Sequence, residues 1–307
     1  MNHIPLKQNE QKQLERLAAQ RELYSSAKKY HGFQIVLTVL IPVLLALISL
    51  ALPETIDTKV ATYAAAIGLI ITMLDLFILD PAIKSKRERA AKIQELFDCD
   101  VLSLPGSPLK TADGVAVEEV LVQYDAHRKI PTNIEKIRDW YPVAVREFPL
   151  SIARIVCQRS NCWWDARLRD RYASIIRTVS VVVVLAIFFF GLVSNVQFLD
   201  IVLLGSAIMP FIQFCSKQYF DHKDAAKRLD ELANYASNLW KVALEGQKTD
   251  KELAEYSRRL QDEIFDHRSK SPLILDMFYN RLRNKDEEIM NRSAQTLLDE
   301  AQTKLNF

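Results

Sequence analysis

Four blocks of apolar residues interrupt an otherwise charged chain. The first, Phe33 to Leu52, has twenty residues and no charge. At about 1.5 Å per helical residue it crosses a hydrocarbon core of about 30 Å. Pro42 lies mid-block and predicts a kink. The second block, Val60 to Leu79, carries one charge, Asp75. The third, Thr178 to Ser194, is short for a span and lengthens by Ile175 and Ile176 if Arg177 snorkels. The fourth, Val196 to Cys215, contains Asp200 and Pro210. Blocks one and two are joined by only "PETIDTK", and blocks three and four by little more than "NVQ", so each pair is expected to form a tight antiparallel hairpin. The bland alternative, a buried soluble core, fits four runs of membrane length with long polar separators less well.

The pattern therefore predicts an all-α membrane protein. It has four transmembrane helices in two hairpins, a mostly helical cytoplasmic middle region and a helical cytoplasmic C-terminal region. The expected divisions are an N-terminal helix (1–32), hairpin 1 (33–81), the middle region (82–174), hairpin 2 (175–215) and the C-terminal region (216–307). Lysine and arginine set the orientation. Nineteen of them flank the outer ends of the hairpins, against Lys59 alone at the tips. Both termini and the middle region are thus expected in the cytoplasm, with almost nothing protruding on the far side. A receptor for an outside ligand needs outside mass, so any input is expected from within. The first 32 residues are hydrophilic, and no cleavable signal segment is read there.

The cytoplasmic parts read as helices. Lys84 to Phe97 leaves the membrane, and "CDVLSLPGSP" is extended before a turn at Pro105-Gly106. Val117, Val120, Leu121 and Tyr124 share one face, and Thr132 or Asn133 caps a following helix. Beyond block four, Leu229, Leu232, Ala236, Leu239 and Ala243 form a heptad-like seam, open either to an oligomer or to the N-terminal helix through Leu14, Leu17 and Tyr24. Gly246 ends that helix, Thr249 or Asp250 caps the next, and Ser271 with Pro272 starts another.

Composition adds mainly exclusions. The net charge of +2 gives no case for binding a nucleic-acid polymer. Seven isolated glycines hold no phosphate loop, five scattered histidines show no ligand spacing, and four cysteines are too few for a disulfide framework. Cys157 and Cys162 lack a second pair to complete a zinc site. Nothing argues for an enzyme, a metal or a cofactor.

One stretch stands out: "IVCQRSNCWWDARLRDRY", Ile155 to Tyr172, just before the third block. On a helix Trp164, Leu168 and Tyr172 share a face, Arg167 and Arg171 a neighbouring one, and Asp165 pairs with Arg169. A membrane-entry collar explains Arg169, Arg171 and Tyr172. It does not explain Gln158, Arg159, Asn161 and the tryptophan pair, which lie far from the span. Arginine, amide and aromatic groups together suit a phosphate-bearing ligand or a structural ion-pair network. The candidate ligand-binding or coupling residues are Arg154, Arg159, Asn161, Trp163, Trp164 and Arg167. The candidate pore-lining residues are Asp75 and Asp200.

Three motifs carry a family resemblance: "KIQELFDCDVLSLPG" from Lys92, "WYPVAVREFPLSIARIVCQRSNCWWDARLRDRY" from Trp140, and "IFDHRSKSPLILDMFYNRLR" from Ile264. With the four spans, the chain resembles the SMODS-associating four-transmembrane effector family over nearly its whole length. Gly106 departs from the pattern, which has tryptophan after the Leu-Pro. The resemblance implies a bacterial inner-membrane, multi-pass protein encoded beside cyclic-oligonucleotide-producing nucleotidyltransferases. It implies a pore-forming effector of anti-phage immunity that compromises the membrane and ends the cell's growth. The implied partners are the lipid bilayer and a cyclic oligonucleotide second messenger. Four helices are too few for a wide pore, so a pore implies a homo-oligomer. The competing reading is a non-conducting, membrane-anchored helical adaptor that recruits cytoplasmic partners. A transporter fits poorly, since no midplane polar cluster or broken helix is visible.

Overall fold

In a computed structural model, residues 2–51, 67–107, 114–193 and 209–305 are described, and every regular element among them is helical. The tips of both expected hairpins and Asp200 lie outside the described residues. The elements are α1 (Ile4–Lys7), α2 (Gln11–Ile35), α3 (Ile41–Ala51), α4 (Asp80–Val101), α5 (Val117–His127), α6 (Pro131–Glu135), α7 (Leu150–Val193), α8 (Met209–Leu244), α9 (Asp250–Lys270) and α10 (Asp276–Leu305).

The helices of the polar regions do not stop where the apolar blocks begin. A π-helical segment, Val36–Leu40, joins α2 to α3. A second, Asp75–Leu79, joins the helical residues 67–74 to α4. Both segments sit just before a proline, Pro42 and Pro81. A proline ring collides with the carbonyl four residues back, and a π turn relieves the collision by closing on the carbonyl five back. Ile41 N–H accordingly donates to Val36 O, and Asp80 N–H to Asp75 O. The expected kink at Pro42 thus takes the form of a wide turn.

α2 lies along α4 and α5, and α7 lies along α8. α9 packs against α4, α7 and α8, and α10 against α7. Their buried faces form one core that includes Phe97, Ile155 and Leu260. The seam from Leu229 to Ala243 is used up within this core, in one cluster with Leu14 and Leu17, and its main neighbour is α7.

Local signals place several helix ends. Gly246 has φ +66 after α8, a left-handed conformation that glycine adopts without strain. Thr249 and Glu252 form a reciprocal capping box on α9. Thr249→Ala is expected to cost about 1 kcal/mol, read as a lower unfolding midpoint in detergent.

Other local expectations need correction. α5 buries Val120 and His127 and packs Tyr124, but Val117 and Leu121 are exposed; the helix meets α2 along a narrower stripe than its apolar residues suggest. α6 starts at Pro131 with Ile130 as the preceding cap residue, because proline's fixed φ already suits a first helical position. Ser271 does not open a helix. Its hydroxyl donates to His267 O at 2.7 Å at the end of α9, and residues 272–275 belong to no regular element, with Leu273 and Ile274 buried.

Away from the core the helices expose apolar side chains. Leu44, Leu69, Phe77, Val182 and Phe189 are each more than half exposed. Among the described residues one helix, Leu150–Phe189, is long and apolar enough to cross a membrane; its apolar window has mean hydropathy 2.2, and 17% of it is buried in the chain.

Candidate functional site

α7 is 44 residues long, and its N-terminal half is the stretch singled out above. The structure divides the six candidate residues among four places. Arg154 is buried and donates to Leu102 O at 2.6 Å and Ser103 O at 2.7 Å. These are carbonyls at the end of α4, where the helix leaves acceptors unsatisfied. Arg159 ties α7 to α8 and α10 through Ser237 Oγ (2.9 Å) and Ser293 Oγ (3.4 Å). Trp163 and the exposed Arg167 form a cation–π pair at 5.9 Å. Only Asn161 and Trp164 line a cavity.

That cavity, of about 180 Å³, is enclosed by α2, α7, α9 and the start of α10. From α2 come Arg21, Tyr24 and Lys28, and from α10 comes Tyr279. Arg21 and Lys28 both face the Tyr279 ring, at 5.0 and 5.2 Å from its centroid. Lys28 also donates to Asp276 at 2.6 Å, and burial lowers its pKa against that carboxylate's pull. Trp164 meets Tyr279 edge-on at 5.5 Å. Asp165 lies on the same wall, 3.0 Å from Arg169 as expected for that spacing and 3.8 Å from His267. Burial alone would raise the Asp165 carboxyl, but Arg169 and His267 outweigh it and hold the pKa down.

Beneath the cavity lies a buried polar network. Asp98, fully buried, accepts from Tyr141 Oη (2.6 Å), Gln261 Nε2 (2.9 Å) and Arg268. Glu95, one helical turn earlier, accepts from Arg258 (2.6 Å) and Gln261 (2.8 Å). Asn161 reaches the same Tyr141 hydroxyl at 3.4 Å. Cys157 and Cys162 are buried in this core, and burial pushes the Cys162 thiol up to about 12. Sequence reasoning missed Glu95 and Asp98. The available signal was two acids one turn apart beside Ile93, Phe97 and Val101, all buried.

A larger cavity of about 800 Å³ opens where the apolar segments begin. Asp75 lines it and accepts from Gln34 Nε2 at 2.7 Å, while Gln34 Oε1 meets His31 Nδ1 at 2.8 Å. The bond runs between the two π-helical regions. Lys217 and Arg87 add cationic groups to the same wall.

Two buried histidines, His222 and His267, are expected to make the stability of the fold depend on pH. Burial, with Arg169 adding to it, pushes His222 down to about 2. Burial likewise lowers His267, with Asp165 opposing. The unfolded chain takes up a proton near pH 6.5, whereas the fold keeps these rings neutral. Their stabilisation is therefore fully present above pH 6.5 and declines as pH falls toward the folded values. Asp165 is depressed too, so its contribution is lost only below about pH 4. Stability is expected to drop between pH 6.5 and 5.5 by about 1 kcal/mol for His222 alone. His222→Phe should flatten the slope of unfolding midpoint against pH.

The family model of the SMODS-associating 4TM effector domain matches residues 2–297. The chain belongs to this family. A curated protein of Bacillus cereus (strain VD146), described as a "probable CBASS effector molecule", is 25% identical over 290 residues, covering 92% of this chain and 94% of its own. No solved structure matches. The 4TM effector match takes in all three motifs, and with them both cavities and the buried network. The resemblance read from the motifs is borne out.

Proposed function

We propose that the chain is an inner-membrane effector of bacterial anti-phage cyclic-oligonucleotide signalling that breaches the membrane when activated from the cytoplasm. The observation that carries this reading is the continuity of α7. Its first half is locked into the helical core by Arg154, Gln158 and Arg169, and its second half exposes Val182, Leu185 and Phe189. Side chains of that kind need a bilayer or other apolar cover. Exposed apolar residues on α3, on 67–79 and at the start of α8 support three further spans, hence the two hairpins. The charge asymmetry supports cytoplasmic termini, and the family and the relative support the signalling context.

In this reading Asp75 marks the inner mouth of the conduction path and Asp200 its outer part, several copies assemble around it, and no catalytic step is involved. Co-expression with an active cognate nucleotidyltransferase is expected to depolarise cells that tolerate the protein alone. A non-conducting adaptor predicts no depolarisation on signal. For topology, a cysteine at Thr58 should label from the periplasm and one at Lys270 should not. Periplasmic labelling at Lys270 would reverse the orientation.

A further inference from the structure

We propose that the cavity between α2, α7 and α10 binds one nucleotide unit of the signal: an aromatic base inside, its phosphate against Arg21 and Lys28. The inference rests on the functional reading only for the class of nucleotide. Its own ground is a set of groups left incomplete by the protein. Trp140 Nε1 and Trp164 Nε1 are buried without an acceptor among the described residues, and both side chains line the cavity. Buried donors without partners are rare in folded proteins, so two of them on one cavity call for an acceptor-bearing occupant. Arg21 has no carboxylate partner among the described residues and rests only on the Tyr279 ring at 5.0 Å. Among the described residues Lys28 pairs with Asp276, Arg169 with Asp165 and Arg268 with Asp98, so Arg21 is the excess positive charge of the lining. That excess favours an anion.

Water answers only part of this. About six waters fill 180 Å³, but they neither match the net charge nor use the ring faces of Tyr24 and Trp164. A nucleobase does both jobs: its ring nitrogens and carbonyls accept from the indoles, and its faces stack on the aromatics. The phosphate then takes charge-assisted bonds from the Arg21 guanidinium. The cavity holds a base but not a whole cyclic dinucleotide, so the remainder of the ligand lies outside it.

Two of the chain's four tryptophans, Trp140 and Trp164, line the cavity, which gives a direct readout. The purified full chain in detergent is titrated with 3′,5′-linked cyclic di- and trinucleotides of the four bases, with pyrophosphate as the anion-only control. Saturable quenching by at least one cyclic nucleotide, and not by pyrophosphate, is expected. Arg21→Gln should weaken binding about 10- to 100-fold. Trp164→Phe keeps the ring and removes the donor; it too should weaken binding. Unfolding midpoints establish that both variants are folded. Quenching by none of the probes, equal quenching by pyrophosphate, or unchanged affinity in both folded variants overturns the assignment. Binding without depolarisation would sink the functional reading and leave this site standing. Signal-dependent depolarisation undiminished in Arg21→Gln cells would do the reverse.

Discussion

Asp98→Ala is expected to remove nearly all folded protein. The carboxylate is fully buried, and its loss strands Arg268, Tyr141 and one amide hydrogen of Gln261. Removing one partner of a buried, hydrogen-bonded pair costs about 3–5 kcal/mol, a large share of the 5–15 kcal/mol that holds a typical domain together. The double replacement Asp98→Leu with Arg268→Leu should recover part of the loss, because it leaves no buried charge unpaired. Protein level in membranes and the unfolding midpoint in detergent are the measurements. An Asp98→Ala protein with normal abundance and midpoint would mean that the network does not hold α4, α9 and the middle region together.

The second large effect concerns transmission. α7 runs unbroken from the core into its apolar half, so a shift of the core tilts or rotates that half as one rod. Thr178 is exposed at the junction, and its hydroxyl donates to Ser174 O at 2.9 Å. Thr178→Pro removes a helical hydrogen bond and crowds the carbonyl of Ser174, at a cost of about 3 kcal/mol in an uninterrupted helix. Signal-dependent depolarisation is expected to fall to background, while the core, stabilised by the Asp98 network, keeps its pH-dependent unfolding. Thr178→Ala should respond normally. A fully responsive Thr178→Pro protein would exclude transmission through a rigid α7.

Local chemistry was legible in the sequence wherever a few neighbouring residues decide the outcome. Thr249 or Asp250 announces a helix cap, Gly246 a helix end, and Asp165 with Arg169 a pair on one face; the structure has Thr249 as the cap and keeps the other two. The family was legible because its motifs are long. Hidden were features that require distant segments to meet. Glu95 and Asp98 look like ordinary surface acids until Arg258 and Arg268, more than 160 residues on, arrive beside them. Arg154 resembles a ligand arginine until the end of α4 is placed under it. The small cavity draws Arg21, Trp140 and Tyr279 from three separate stretches, and no periodicity within one helix reveals that. Tyr279 and Trp140 do lie inside the motifs that carry the family resemblance, which was the available hint. The continuity of α7 was obscured by its run of charges, which reads as a boundary; yet no proline or glycine interrupts it from Leu150 to Phe190.

The most direct test of the central claim is ion flux through liposomes containing the purified full chain, with and without the product of its cognate nucleotidyltransferase. Tight vesicles without the nucleotide and rapid ion release with it are the predicted result. Vesicles that stay tight with the nucleotide present, while the protein is shown to be inserted and to bind it, would contradict a signal-opened membrane path and leave the non-conducting adaptor.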